Sequence, residues 1–397
     1  MCLCINPNCP QPLNSEHSLL CKSCDSELLI NGLYRVTRFL GKGGFGTTYE
    51  VIGGSTAKVL KVLRDDFGKP SLQAKAIELF KREFQVLNHL NHLGVPKVKQ
   101  DDFFKFSLQS SQSFLYCLVM EKIEGMDLEQ WMKQRRYQPI TEQLALRWIK
   151  QLVEILGEIH QRRFFHRDIK PSNIMLRAKD GQLTLIDFGG VKEFSITSVQ
   201  QQTQDTSLSS PGYTPPEQMR RKAVLQSDFF ALGRTFVYLL TGRQPNDLSE
   251  SQDRCLIWRD RTSQISEIFL NLIDDLMAPN FHDRPQKAQE ILDRVMIIEQ
   301  AFCSQNQPIQ LPKKTSNISS QPHIRLPFKS FWYISYTRRL SIIAGVATTL
   351  VLVLTTLSGL SYLKAILLSV LIGFLLIILV VLFQLFHRFY ELIFRNF

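Results

Sequence analysis

The residues best equipped for chemistry cluster between positions 166 and 189. His166-Arg167-Asp168-Ile169-Lys170-Pro171-Ser172-Asn173 is followed by Asp187-Phe188-Gly189. Asn173 and Asp187 offer a carboxamide and a carboxylate oxygen, and Asp168 offers a second carboxylate. Hard oxygen donors of this kind suit Mg²⁺, which proteins hold with one or two carboxylates plus substrate phosphates. Asp168 stands five residues before Asn173, close enough to meet a substrate hydroxyl beside such a metal. Lys170 can place a positive charge on a phosphoryl group in transfer.

These groups must be brought together by the elements around them. Ile174-Met175-Leu176 and Leu183-Thr184-Leu185-Ile186 flank Asp180-Gly181, a strong hairpin signal. A two-residue loop pairs 179 with 182 and 174 with 187, so Asn173 and Asp187 meet at the open end. A four-residue loop moves the pairing by about one pleat and keeps them close. The plainer reading is a polar turn, a hairpin and a chance Asp-Phe-Gly, and the joint match of residue types and spacings weighs against it.

Upstream, Leu33 to Leu40 predicts a strand, then come Gly41-Lys42-Gly43-Gly44-Phe45-Gly46 and a second strand over Thr47 to Ile52. A strand after the glycines, where a dinucleotide fold would have a helix, argues against a dinucleotide fold. Val59 to Leu63 is an apolar strand carrying Lys61, a cation that needs a partner. The helical stripe Leu72, Ala76, Leu79, Phe80, Val86, Leu87 and Leu90 contains Glu83, a carboxylate on an apolar face. Such a group is costly unless paired, so Lys61–Glu83 is the expected ion pair, with Lys58 as the runner-up lysine. Phe114 to Met120 predicts another strand, followed by Glu121-Lys122-Ile123-Glu124-Gly125-Met126-Asp127. Leu144 to His160 and Asp228 to Thr241 predict helices, and no internal repeat is visible.

Together these stretches resemble the eukaryotic-type protein kinases, most closely bacterial serine/threonine kinases of a cyanobacterial branch with an N-terminal four-cysteine motif. The resemblance covers about residues 1 to 300 and implies an α+β, two-lobed kinase fold that uses ATP and Mg²⁺. It implies that Gly41, Gly43, Gly44 and Gly46 cover the phosphates, and that Lys61, placed by Glu83, steadies the α- and β-phosphates. Asn173 and Asp187 would hold Mg²⁺, Asp168 would orient the acceptor hydroxyl and take its proton, and Lys170 would serve the γ-phosphate. Met120 would border the adenine pocket, Glu121 and Ile123 would offer backbone contacts, and Asp127 would reach the ribose; the bland alternative for each is ordinary loop surface. Ser210-Pro211-Gly212-Tyr213-Thr214-Pro215-Pro216-Glu217 resembles the close of an activation segment, with Ser210 where threonine is usual and Pro215 where alanine is usual. Glu217 would pair with Arg284, and Asp228 would anchor the catalytic loop. Arg167 suggests phosphorylation at Thr203, Thr206, Ser207 or Ser209. Protein Ser/Thr substrates are implied, with a second copy of the chain as partner for autophosphorylation in trans.

The first 30 residues hold Cys4-x4-Cys9 and Cys21-x2-Cys24, with Cys2 just outside and able to replace Cys4. Two close pairs suit a tetrahedral Zn²⁺, and a segment this poor in apolar residues needs a metal to fold it. Disulfides suit an oxidising compartment, and nothing at the N-terminus marks the chain for secretion. Cys117, Cys255 and Cys303 are isolated.

The net charge of +11 is uneven, because after residue 300 nine Lys/Arg face one acid, Glu391. Beside apolar spans, that excess points to anionic lipid and away from nucleic acid. Between Leu340 and Phe386 the only charged residue is Lys364. Residues 340–357 and 365–386 are each long enough to span about 30 Å of hydrocarbon. Phe331, Trp332, Tyr333 and Tyr336 before Arg338-Arg339 form an interfacial belt. The expected organisation is a zinc-ribbon-like segment (1–30), a kinase domain (31–301), a linker (302–330) spanning about 30 Å as a coil, and a two-helix membrane anchor (331–397). The kinase is expected on the cytoplasmic side of the cell membrane. Two other readings compete: a catalytically dead kinase fold serving as a membrane scaffold, and a metal-stabilised adaptor. The first predicts a gap among Lys61, Glu83, Asp168, Asn173 and Asp187, and none exists.

Overall fold

The β-branched and aromatic runs of the first 121 residues build one antiparallel sheet. The computed structural model describes residues 1–43, 46–63, 68–108, 113–193, 210–262 and 264–305. Gly44, the four hydroxyls between Thr203 and Ser209, the linker from 306 on and both apolar C-terminal runs lie outside these residues, as does the side chain of Cys303. Among the described residues no helix is long and apolar enough to cross a membrane.

A short ladder, β1 (Cys2–Leu3) against β2 (Leu13–Asn14), opens the chain. Then come β3 (Leu29–Ile30), β4 (Tyr34–Lys42), β5 (Gly46–Gly53) and β6 (Thr56–Leu63), followed by helix α1 (Pro70–His89), β7 (Phe103–Ser107) and β8 (Phe114–Glu121). The sheet order is β3-β4-β5-β6-β8-β7. It therefore begins at Leu29, two residues before the domain start expected from sequence. Gly46 is required by packing as well as by the turn, since a Cβ there would lie 2.6 Å from the Val62 carbonyl oxygen. Helix α1 starts with Pro70 in its first turn, where the missing N–H costs nothing. The N-terminal segment packs on this sheet. Ile5 is buried with Ile30, Val36, Val51, Leu60 and Val119, and Leu3 joins them. Burying one such side chain stabilises the contact by about 1.5–3 kcal/mol.

The second half is mainly helical. It contains β9 (Gly125–Asp127), α2 (Leu128–Gln134), α3 (Glu142–Gln161) and β10 (Phe164–Phe165). The hairpin β11 (Ile174–Arg177) and β12 (Leu183–Leu185) and the strand β13 (Lys192–Glu193) follow, then α4 (Pro216–Met219), α5 (Gln226–Thr241), α6 (Glu267–Leu276) and α7 (Ala288–Gln305). Every residue of α5 from Ser227 to Thr241 is buried. A helix apolar all round belongs at the centre of a core, and α3, α6 and the hairpin pack into the same cluster.

The hairpin register differs from the two-residue expectation. Ile174 faces Leu185, and Arg177 N donates to Gln182 O at 3.0 Å, so the loop is the four residues 178–181. The Asp180 carboxylate accepts the Gln182 N–H at 3.0 Å, and Gly181 takes φ +69°. That local bond draws Asp-Gly to the end of a longer loop. Ile186 N then donates to Asn173 O at 2.9 Å, which leaves Asp187 one residue from direct opposition.

Candidate active site

A single buried carboxylate shapes the loop that carries Asp168. Asp228, at the start of α5 and wholly inaccessible, accepts the N–H of His166 at 2.8 Å and of Arg167 at 2.7 Å. It also contacts His160 Nε2 at 2.9 Å. Arg167 thereby holds φ +71°, and Asp187 holds φ +61°. Such left-handed non-glycine positions cost roughly 1–3 kcal/mol and persist only where the surroundings enforce them. Burial pushes the His166 pKa below the ordinary histidine value. The neutral ring donates Nε2–H to Ile186 O at 3.2 Å, and its Nδ1 accepts the Asp168 N–H at 3.4 Å. One histidine thus ties the loop to the hairpin.

Asp168 is the meeting point of three side chains. Lys170 Nζ and Asn173 Nδ2 each donate to Asp168 Oδ2 at 2.9 Å, and Ser210 Oγ donates to Oδ1 at 2.6 Å. Lys170 also reaches Ser210 Oγ at 2.9 Å. Because Asn173 spends its amide nitrogen on Asp168, its Oδ1 remains as an acceptor for a cation.

Lys61 on β6 donates to both Glu83 oxygens, at 2.7 and 2.8 Å, and to Asp187 Oδ1 at 2.9 Å. Burial pushes the Glu83 carboxyl up from its ordinary range, and the Lys61 ammonium opposes that push. Burial likewise works against the Lys61 charge, yet Asp187 and Glu83 together hold its pKa above the ordinary lysine value. The Lys61 ammonium beside Asp187 holds that carboxyl down at about 2. Asp187 is therefore an ionised hard donor at any physiological pH, and with Asn173 Oδ1 it fits Mg²⁺. The runner-up, Lys58, lies elsewhere: its Nζ is 3.6 Å from Asp102 Oδ1 and donates to the Tyr34 hydroxyl at 3.2 Å.

Gly41 and Gly46 belong to β4 and β5, and Gly43 N donates to Gly46 O at 2.8 Å, closing the turn. Met120 is half-buried and Ile123 buried on the segment leaving β8. The Glu121 N–H donates to Lys97 O at 2.9 Å, so any cleft contact from its backbone must come from the carbonyl. Asp127 caps α2, with Oδ1 accepting the Gln130 N–H at 2.8 Å. That capping role was not read from the sequence.

The protein kinase domain family matches residues 34–297, which contain every group just described. The chain belongs to the protein kinase family. It is 35% identical over 305 residues to serine/threonine-protein kinase B of Synechocystis, covering 74% of this chain and 51% of that protein. It is 34% identical to serine/threonine-protein kinase PknA of Nostoc, covering 68% of this chain and 48% of the relative. Serine/threonine-protein kinase PrkC of Bacillus subtilis is 32% identical over 55% of this chain and 32% of its own length. The chain spans about half the length of the cyanobacterial relatives it matches.

This kinase domain also uses residues with no sequence signal. Arg177 on β11 donates to Glu121 Oε1 at 2.7 Å, linking the segment after β8 to the hairpin. Lys122 bridges Glu50 on β5 at 3.0 Å and Glu124 at 2.7 Å. Gln218 Nε2 donates to Arg167 O at 2.7 Å. The Glu217–Arg284 pair, by contrast, was expected from the sequence, and the two meet at 2.6 Å.

At the N-terminus, the sulfurs of Cys4, Cys9, Cys21 and Cys24 all lie within 4.8 Å of one another. Cys4–Cys24 and Cys9–Cys21 are each 3.6 Å apart, far beyond the roughly 2.05 Å of a disulfide. A tetrahedron of thiolates about 2.3 Å from zinc has neighbouring sulfurs about 3.8 Å apart, so the donor set fits that ion. Asn14 Nδ2 donates to Cys21 Sγ at 3.4 Å, the outer contact a metal thiolate needs. Burial pushes the Cys4 thiol up; Cys24, although burial opposes it, is brought down to about 6 by the Ser26 hydroxyl and N–H. Cys2 instead donates to Ser15 O at 3.2 Å, and His17 is exposed.

Proposed function

We propose that the chain is a membrane-anchored serine/threonine protein kinase that transfers the γ-phosphoryl group of ATP to Ser or Thr of proteins, including other copies of itself. The observation that carries this reading is the closed constellation around Asp168. Its carboxylate is bonded to Lys170, Asn173 and Ser210, while Lys61 joins Glu83 and Asp187 across the cleft. Asp168 orients the acceptor hydroxyl and takes its proton. Lys170 sits where the γ-phosphoryl charge develops, and Lys61, held by Glu83, steadies the α- and β-phosphates. Bound by Asn173 and Asp187, Mg²⁺ would neutralise phosphate charge. The glycine turn Gly41–Gly46 offers N–H groups to the phosphates; Met120, the Glu121 carbonyl, Ile123 and Asp127 frame the nucleoside. Incubating the full chain with Mg-ATP should yield phosphoserine and phosphothreonine, some of it among Thr203, Thr206, Ser207 and Ser209. No phosphate on any hydroxyl under these conditions rejects the activity.

Cys4, Cys9, Cys21 and Cys24 take one structural Zn²⁺ in this reading, supported by their sulfur spacing. Elemental analysis should find about one zinc per chain, in line with a four-thiolate site. Substoichiometric metal with freely reactive thiols contradicts it.

Residues 340–357 and 365–386 cross the cell membrane as two helices, with the kinase and the C-terminus cytoplasmic. The support is the charge pattern: Arg338 and Arg339 before the first span, Arg388 and Arg395 after the second, and Lys364 alone between. An impermeant thiol reagent on intact cells should label a cysteine placed at Ser361 and spare one at Asn396. Labelling at Asn396 overturns the topology.

A further inference from the structure

One buried cation is left incompletely paired outside the phosphotransfer site. Arg234 lies on α5, a helix buried on all sides, and its side chain is 7% exposed. Of its five N–H donors, Nη2 reaches Glu250 Oε1 at 3.0 Å, while Nε is buried without a hydrogen-bond partner among the described residues. Glu250 is itself about half exposed, a weak counter-charge for a desolvated guanidinium. The contrast with Arg284 is informative. Both guanidinium groups sit over the Phe230 ring, at 4.9 and 4.8 Å. Arg284 is saturated by Glu217 and by the carbonyls of Ala278, Gln226 and Pro279. It is a lock within the fold. Arg234 faces open space.

That space is a cleft of about 600 Å³ lined by Arg234, Arg220 and Arg254, with Glu250 as the sole acid on its wall. Arg220 and Arg254 are exposed, so three cations oppose one carboxylate. One wall is formed by Gly212, Thr214 and Pro216, which begin two residues after Ser210, the hydroxyl 2.6 Å from Asp168. This wall is held in place: a Cβ on Gly212 would come within 2.8 Å of Asn246 Oδ1, and Tyr213 donates its hydroxyl to Gln244 Oε1 at 2.9 Å. An anion bound here is therefore presented by something lying beside the acceptor position. Guanidinium groups recognise carboxylate and phosphoryl oxygens by paired, charge-assisted hydrogen bonds.

We propose that this cleft is a substrate-recognition subsite that takes an anionic side chain, a carboxylate or a phosphorylated Ser/Thr, of the polypeptide being phosphorylated. Arg234 is the buried anchor, and Arg220 and Arg254 are the outer contacts. The proposal rests on the phosphotransfer reading above. Neither outer arginine touches the nucleotide constellation, so the subsite acts on the KM for polypeptide and leaves the KM for ATP alone.

The test uses the full chain and three degenerate serine-peptide pools that differ only at the positions flanking the acceptor, filled with Glu, phosphoserine or Gln. The Glu and phosphoserine pools should show KM values at least about tenfold below the Gln pool, the scale of one charge-assisted contact of roughly 1.5–3 kcal/mol. In the double variant Arg220→Gln/Arg254→Gln the three pools should converge, with kcat and the KM for ATP unchanged. Fluorescence anisotropy of labelled Glu and Gln peptides, read without ATP, should give the same ranking and the same loss. Equal KM values in the wild type, or a preference that survives in the double variant, overturn the subsite. Inorganic phosphate that protects the wild type from unfolding, with no discrimination among the peptides, assigns a free-anion site and also overturns it. Arginine-dependent peptide binding without turnover of any pool keeps the subsite and rejects the phosphotransfer reading.

Discussion

Asp168→Asn is expected to lower kcat by about two to four powers of ten, the usual worth of a positioned base, with the affinity for ATP unchanged. A carboxamide keeps the size of the side chain and can still accept through one oxygen. Its nitrogen, however, is a donor placed among donors: Lys170 and Asn173 at 2.9 Å on one side and Ser210 at 2.6 Å on the other. It also cannot accept the hydroxyl proton at neutral pH. The loop itself should stand, because Asn173 Nδ2 also bonds the Asp168 backbone oxygen at 2.8 Å, and Asp228 still holds the N–H groups of His166 and Arg167. Single-turnover phosphotransfer with parallel nucleotide titration separates the two effects. An unchanged rate removes Asp168 from the chemistry. A loss of ATP affinity of the same size makes its role structural.

The elements around this residue were legible because each carries a local signal. Helix α1 is visible from its apolar stripe, and Glu83 within that stripe announces a partner. The hairpin was visible from two apolar runs around Asp-Gly, but its loop length was not. The choice between two and four residues depends on an Asp180–Gln182 bond that competes with the tight turn. Arg177 and Glu121 are 56 residues apart and meet only through the tertiary fold, so no pattern links them. Helix α5 poses a different difficulty. It is buried on all sides, so its sequence has no polar face from which to read where Arg234 points. The docking of Ile5 into the sheet core was equally hidden, because an isolated apolar residue in a cysteine-rich stretch does not say what it will cover.

The Glu217–Arg284 pair should give the largest effect on stability. Arg284 is 0% exposed along its side chain and Glu217 8%, and they meet at 2.6 and 3.1 Å. Removing one partner of a buried pair leaves an uncompensated charge and costs roughly 3–5 kcal/mol, whereas replacing both by apolar residues is often close to neutral. Arg284→Met leaves the Glu217 carboxylate with the Ser227 hydroxyl at 2.8 Å as its remaining side-chain donor, and strips donors from the Ala278, Gln226 and Pro279 carbonyls. Glu217→Leu strands the guanidinium on those carbonyls and the Phe230 ring. Each single variant should therefore unfold at a markedly lower urea concentration. The double variant should recover a large part of the loss, since methionine fills the stem's volume over Phe230 and neither charge of the pair is left buried without its partner. The three carbonyls that lose a donor set the limit of that recovery. Activity should fall along with stability, because Glu217 is followed directly by Gln218, whose side chain holds the Arg167 carbonyl of the catalytic loop at 2.7 Å. Equilibrium unfolding of the four proteins in the cycle decides the matter: a double variant whose loss equals the sum of the singles means the two residues act independently, and the pair is then no lock on the activation segment.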